Sequence, residues 1–355
     1  MTAKGELYHL GIELSQGQYH TGYGKRLFRE AGNIGLFKIG IDQNLKFSVS
    51  LFRQQLKAIA DFSEGYMQFE AGFSLLANLV SVVYPVSQNA KGQKQLDFIE
   101  PLTKGEIIGA HCMTEPNAGS DVGAILTNYS KSGDKFLING TKTFVTNGSI
   151  ADIFLVYAAE KQATSQPHGL TCFLLSSKEV KTQSINSVFK HMIWDMVMID
   201  DILTDKAMLL KEEAKGFYLF QQSMLWERLG MAFFHLGLVE GIHHELKKAV
   251  GIRVLKAEIQ YEKIIESLLV CRSLCTSAAD NLGNSGLEMI WANQAKIITA
   301  KNLYLVQQTA LEIMNKYFSK SDRISNLGDG LLASKIYSGT ENVLNLTNRN
   351  LSQFI

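Results

Sequence analysis

Proline is scarce in this chain: four residues in 355, at positions 85, 101, 116 and 167. None follows Pro167, so helices in the second half meet no proline break. Cysteine is as rare, at Cys112, Cys172, Cys271 and Cys275. Cys271 and Cys275 share a helix face without forming a CxxC pair, and no zinc-ligand spacing occurs. Thiols scattered in this way read as reduced, mostly buried side chains. Excess charge is missing too. With 35 basic and 34 acidic residues the formal net charge is +1, which leaves no footprint of a nucleic-acid partner. The most apolar run, Phe73 to Tyr84, is broken by Ser74, Asn78 and Ser81 and is too short to span a bilayer. Met1-Thr2-Ala3-Lys4-Gly5-Glu6 has no signal-peptide core. The expectation is a cytoplasmic protein without membrane insertion.

Several chemistries lack their sequence marks. No GxGxxG follows a strand; Gly22-Tyr23-Gly24-Lys25 lacks the third glycine, which argues against a Rossmann dinucleotide site. There is no Walker lysine loop and no GxSxG elbow. His243-His244-Glu245 is half of a metalloprotease motif without its second spaced histidine, so no metal site is expected.

What the chain does have is a 46% hydrophobic fraction, ample for a core, and three regions of different period. Residues 1–107 read as an N-terminal helical domain. Leu51, Leu56, Ile59, Ala60 and Phe62 recur at helical spacing, and Phe73 to Val80 is apolar nearly all round. Residues 108–215 change to strands. Phe136-Leu137-Ile138 runs into Asn139-Gly140, and Lys142 to Thr146 runs into Asn147-Gly148; Asn-Gly between such runs predicts hairpin turns. Ile153 to Tyr157 and Leu170 to Leu175 add strands, and Val197-Met198-Ile199 a weaker one. A compact antiparallel sheet or barrel is expected. Residues 216–355 return to long amphipathic helices over 217–248, 256–282 and 287–318, with a short one near the end. Helix, sheet and helix in segregated blocks make an α+β fold.

Three segments carry a resemblance. His111-Cys112-Met113-Thr114-Glu115-Pro116-Asn117-Ala118-Gly119-Ser120-Asp121 resembles the TEPxAGSD signature of the acyl-CoA dehydrogenase family. Asn139 to Gly148 is similar to the family's NGxKxWITNG segment, and Ile336-Tyr337-Ser338-Gly339-Thr340-Glu341-Asn342 to its IYEGTxQ segment. The resemblance implies an N-terminal helical domain, a middle antiparallel β-barrel domain and a C-terminal four-helix bundle, assembled as dimers or tetramers. It also implies FAD as cofactor. By matched position, Thr114 would meet the pyrimidine edge of the flavin, with His111 and Met113 beside it. Gly119 and Ser120 would approach the ribityl-pyrophosphate, Phe144 would stand where the family has tryptophan, Thr146 would donate to flavin N5, and Thr340 and Asn342 would meet the adenosine. A flat ring that is apolar at one end and polar at the other suits such a mixture of aromatic wall and fixed donors.

The implied reaction is α,β-dehydrogenation of an acyl thioester, in which a carboxylate removes the α-proton and the β-hydride passes to the flavin. In most members that carboxylate is the glutamate of IYEGT; here Ser338 occupies the place and cannot act as a base. In other members the glutamate lies early in the first bundle helix, and Leu225-Trp226-Glu227-Arg228-Leu229-Gly230 supplies one. Glu227 is therefore the expected base, buried by Met231-Ala232-Phe233-Phe234, with Arg228 and Ser338 shaping the substrate site. Two family motifs are degraded. Ala249 stands at the arginine of RxxFG, flanked by Lys248 and Arg253, and Ile313-Met314-Asn315-Lys316-Tyr317 lacks the glycines of QxxGGxG. The run before the IYEGT-like segment is reduced to Leu327-Gly328-Asp329-Gly330. Acyl-CoA or an acyl carrier protein is the expected substrate carrier, with Lys247, Lys248, Arg253 and Lys256 available to either. An electron-transfer flavoprotein is the expected acceptor. The alternative is a non-catalytic scaffold, or a subunit of a heteromer that completes a partner's flavin site.

Overall fold

The computed structural model describes residues 6–16, 24–161, 169–186, 192–283, 286–328 and 330–351. Residues 1–5, Gly22, Tyr23, Pro167 and Asp329 of the segments above lie outside them. The chain divides into two units. One comprises Gly22–Ser48 and Ser74–Trp226; the other comprises Met1–Thr21, Val49–Phe73 and Glu227–Ile355.

The first of these holds a seven-stranded sheet: β1 (Gly109–Cys112), β2 (Asn128–Ser132), β3 (Lys135–Thr146), β4 (Ile153–Glu160), β5 (Leu170–Ser176), β6 (Lys181–Ser184) and β7 (Trp194–Asp205). Pairs β2–β3, β3–β7, β4–β5 and β6–β7 are antiparallel. β1 and β2 both run parallel to β4, β1 beside its first half and β2 beside its end. The sheet is thus mixed rather than wholly antiparallel, because two earlier strands share one edge of β4 in the same direction. Phe136, Ile138, Phe154, Val156, Phe173, Leu175 and Val197 form its buried core.

One expected turn is not there. Asn139-Gly140 lies inside β3, and the β2–β3 hairpin closes instead at Gly133 and Asp134, between paired Ser132 and Lys135. Gly140 is needed for space, since a Cβ there would meet Thr127 Oγ1 at 2.3 Å. Asn139 bonds across the sheet, donating to Asp201 Oδ1 and accepting from the Asp201 N–H, each at 2.9 Å. Both residues answer tertiary demands that imitate a turn signal. Asn147-Gly148 does turn, with Asn147 at φ 69°, but it leads from β3 to β4, which do not pair.

Within this unit Glu115 and Lys142 form a buried ion pair at 2.8 Å. The Glu115 carboxylate also accepts from the N–H groups of Leu126 and Thr127 at 2.7 and 3.0 Å. Burial opposes ionisation of Glu115, but the charge and hydrogen bond of Lys142 and the other donors outweigh it and hold the carboxyl below its usual range. Burial pulls the Lys142 ammonium down as well, against the attraction of Glu115. With three donors converging on it the carboxylate is ionised, and Lys142 is its counter-charge.

The other unit contains the bundle. Its helices are the part of Gly216–Val250 from Glu227 onward, then Ile259–Asp280, Glu288–Lys316 and Glu341–Leu351. The long helices match the expected stretches closely, as amphipathic segments free of proline should. Arg272 donates to Glu240 at 2.7 Å and Asn293 to Asn348 Oδ1 at 2.7 Å, tying neighbouring helices together. His235 is fully buried between Thr299 Oγ1 at 3.1 Å and the Tyr337 hydroxyl at 2.6 Å.

All four cysteines are buried and free, and burial pushes the Cys112 thiol up to about 12. The apolar run expected to be short belongs to a 21-residue helical stretch, Phe69–Asn89, which is long and apolar enough to cross a membrane; 89% of its most apolar window is buried inside the protein. The stretch is a core helix by that measure.

Two outcomes follow from the buried titratable groups. Burial, helped by the charge of Lys296, lowers the His235 pKa from 6.5 to about 3. The unfolded chain therefore binds the extra proton between those values, so this stability is fully present above pH 6.5 and is lost as pH falls toward 3. The loss approaches about 1.4 kcal/mol per pH unit within that window. Urea unfolding at stepped pH should show a shallower acid decline for His235→Gln than for the native chain; equal declines would refute the assignment. Separately, Lys142→Met should cost about 3–5 kcal/mol by stranding Glu115. Adding Glu115→Gln should recover more than half of that loss, because the amide oxygen still accepts from Leu126 and Thr127.

Candidate functional site

In the sheet-bearing unit, β1 and β3 carry the expected cofactor residues. His111 on β1 is half-buried, its ring stacked on Phe220 at 6.0 Å and tilted against Tyr157 at 5.0 Å. Met113 is buried, and its carbonyl accepts from Lys142 Nζ at 3.2 Å. The half-buried Thr114 accepts at its carbonyl from the Thr143 N–H at 2.9 Å, which ties the start of the loop to β3. Glu115 and Ala118 close a tight turn by mutual backbone bonds, and the buried carboxylate of Glu115 fixes the loop from below. Beyond that turn Gly119 and Ser120 are exposed, and a Cβ on Gly119 would meet nothing within 4 Å. The chain's own packing does not require glycine there; the open face remains for something else to approach.

Phe144 stands out on β3. It is 54% exposed at φ 52°, a left-handed conformation that costs a bulky residue on the order of 1–2 kcal/mol. The register shift between Lys142 and Val145 places it at a bulge, with its ring edge-on to Trp194 at 5.8 Å. Thr146, half-buried, ends the strand opposite Trp194. The loop after β1 and the strands β3 and β7 thus gather an exposed phenylalanine against a buried tryptophan, half-buried threonines and an open glycine within one unit. Trp194, Phe220 and the Glu115–Lys142 pair have no role in the sequence reading. Glu115 and Lys142 carried a signal, since both sit inside the quoted motifs.

The bundle unit carries the carboxylate. Glu227 is half-buried rather than buried, and it receives a short hydrogen bond from the Ser338 hydroxyl. Residues 111 positions apart in sequence are therefore in direct contact. Arg228 is buried; its guanidinium donates to Ser338 O at 3.0 Å and Asn293 Oδ1 at 2.9 Å, and contacts Met289 Sδ at 3.0 Å. Burial pulls the Arg228 pKa to about 10 against the attraction of Glu227. Thr340 immediately precedes the helix Glu341–Leu351, with its hydroxyl 3.5 Å from the Val343 N–H in the manner of an N-cap, and Asn342 is exposed in the first turn.

The degraded motifs resolve into ordinary contacts. Lys248 pairs with Glu245 at 3.0 Å, and Gly251 at φ 89° ends the helix just after Ala249. Lys247, Arg253 and Lys256 are exposed. His243 bonds the Tyr261 hydroxyl at 2.7 Å, and among the described residues no group of three potential ligands is placed to hold a metal.

Comparison with known proteins adds the relationship. Residues 110–194 match the family model for the acyl-CoA dehydrogenase middle domain. The long-chain specific acyl-CoA dehydrogenase of Sus scrofa is 32% identical over 240 residues, covering 63% of this chain; the match spans 55% of that protein's length. The short-chain specific enzyme of Clostridium acetobutylicum is 30% identical over 294 residues, covering 77% of this chain and 74% of that one. The butyryl-CoA dehydrogenase structure from Megasphaera elsdenii superposes with a TM-score of 0.85 over 98% of this chain and 97% of that one, at 20% identity, a likeness of fold. Sequence and fold agree: the chain belongs to the acyl-CoA dehydrogenase family.

Proposed function

We propose that the chain binds FAD and dehydrogenates an acyl thioester between its α and β carbons, with Glu227 as the base. The observation that carries this reading is the contact between Glu227 and Ser338. Ser338 holds the place where most of the family has its glutamate, and the carboxylate of Glu227 reaches that side chain from a helix. A carboxylate is thus delivered to the usual locus from a different point in the chain.

When bound, the flavin supplies a two-electron acceptor for the β-hydride. The residues of the sheet unit fit such a group. The Phe144 ring, held outward on a strained backbone beside Trp194, offers a wall for a flat ligand. Thr114 and Thr146 offer hydroxyls for its polar edge, and the open face of Gly119 admits a phosphate against backbone. His111 lies on β1 and Met113 directly after it, with Ser120 following Gly119. In the bundle unit, Glu227 takes the α-proton while the Ser338 hydroxyl orients its carboxylate. Arg228, committed to Ser338 O and Asn293, fixes that geometry and leaves the proton acceptor to Glu227. Thr340 and Asn342 stand at the start of a helix, where partial positive charge favours an anion-bearing group.

The thioester is carried by coenzyme A or by the phosphopantetheine arm of a carrier protein; the reacting acyl carbons are the same in both. The electrons that a bound flavin collects would pass to an electron-transfer flavoprotein, and the chain associates with itself as a dimer or tetramer.

The purified chain should be yellow, or become so with FAD, and its flavin absorbance should bleach on anaerobic addition of acyl-CoA or acyl carrier protein. Protein that stays colourless after FAD incubation supports the scaffold alternative instead. Glu227→Gln should keep the flavin and slow its reduction by about 10²–10⁴-fold; reduction at the native rate would rule Glu227 out. Phe144→Ala should weaken FAD binding by up to about tenfold, read by flavin fluorescence titration, if the ring stacks as proposed.

A further inference from the structure

Ser338 and Gly339 are consecutive residues with positive φ, 56° and 95°. A left-handed serine is unfavourable by about 1–2 kcal/mol, so something must hold it. Gly339 answers both to its φ and to space, since a Cβ would meet Leu344 Cδ2 at 2.8 Å. The carbonyls of this turn precede the helix Glu341–Leu351, whose first backbone bond here is the Leu344 N–H to Thr340 O. They therefore need donors from elsewhere. Two buried cations supply them. Arg228 Nε donates to Ser338 O at 3.0 Å, and Lys296 Nζ, on a 1% exposed lysine, donates to Gly339 O at 2.9 Å.

A buried ammonium is costly, and Lys296 shows it: burial, with the charge of Arg228, pulls its pKa to about 7 against the attraction of Glu227. The face of the Tyr337 ring at 5.3 Å offsets part of that cost. Such a residue is retained where its hydrogen bond matters more than the stability it sacrifices.

We propose that Lys296 is a positioning residue for the Glu227 carboxylate: with Arg228 it clamps successive carbonyls of the Ser338–Gly339 turn, and the clamped turn presents the Ser338 hydroxyl to Glu227. The role rests on Glu227 being the base. Lys296 acts on the backbone of Gly339, and the side chain of the preceding residue, Ser338, acts on the carboxylate. The two cations come from different helices, so the turn is fixed relative to the helix that carries Glu227.

The test uses the FAD-loaded chain and Lys296→Met, with two readouts. Amide hydrogen exchange over residues 336–344, without thioester, should rise about tenfold while the rest of the helix Glu288–Lys316 is unchanged. Single-turnover flavin reduction should slow about tenfold at saturating acyl-CoA, with the half-saturating concentration within about twofold of native. Lys296→Arg, which restores a charged donor, should recover both readouts, and Ser338→Ala should slow reduction without loosening the turn. If Lys296→Met does not fold, Lys296→Gln removes the charge with less disturbance. Unchanged exchange overturns the clamp. Raised exchange with an unchanged reduction rate, or a loss confined to half-saturation, overturns the positioning role. A native chain that binds FAD yet is reduced by no thioester refutes the base assignment; hydrogen exchange alone then decides the clamp.

Discussion

The Glu115–Lys142 pair is the constraint on which the sheet unit's candidate site depends. The loop from Thr114 to Asp121 has little regular structure of its own, and its far end, Gly119 to Asp121, is exposed and must be held in shape. Glu115 solves this by turning its carboxylate inward, where Lys142 from β3 and two backbone N–H groups satisfy it. Lys142 in turn donates to the Met113 carbonyl, so one lysine secures the loop at two points. An apolar pair of similar volume would bury as well, but it could not fix the loop's backbone by directional bonds. Phe144 lies two residues beyond Lys142, on the irregular part of β3. The buried lysine and the exposed aromatic are thus consecutive consequences of one bulged strand.

The bundle unit buries cations differently. Arg228 and Lys296 donate to neutral carbonyls, where Lys142 meets a carboxylate. A carbonyl repays less of the desolvation cost than a carboxylate does, and burial with the nearby charge of Arg228 pulls the pKa of Lys296 to about 7. The arrangement spends stability on the shape of a turn. His235, buried neutral between Thr299 and Tyr337, belongs to the same polar core and makes the same exchange on the acid side.

The large elements were legible because their signals were physical and repeated. The three long bundle helices followed from apolar periodicity without proline, and β4 and β5 from dense apolar runs. Short elements were not: β1 has four residues and β6 is exposed throughout, so neither has a periodic face to read. Asn139-Gly140 misled because the requirement for glycine was the close approach of Thr127, and the requirement for asparagine was a bond to Asp201; local preference and tertiary demand select the same dipeptide. Lys296 was invisible for the opposite reason. A lysine on an amphipathic helix reads as a solvated surface residue, and nothing local reveals that a turn 43 positions later needs its donor.

The proposed exchange of roles between positions 227 and 338 makes physical sense in this setting. At 338 a base would sit on a turn with positive φ, whose conformation must itself be enforced by donors from two helices. At 227 the carboxylate projects from a 35-residue helix, whose backbone is satisfied internally and whose side-chain direction is set by helix geometry. Because Glu227 already reaches residue 338, moving the acid from turn to helix leaves its destination nearly unchanged and leaves a short hydroxyl to receive it. The turn then has only to hold a donor in place, a task that two buried cations on successive carbonyls can perform without competing for the proton.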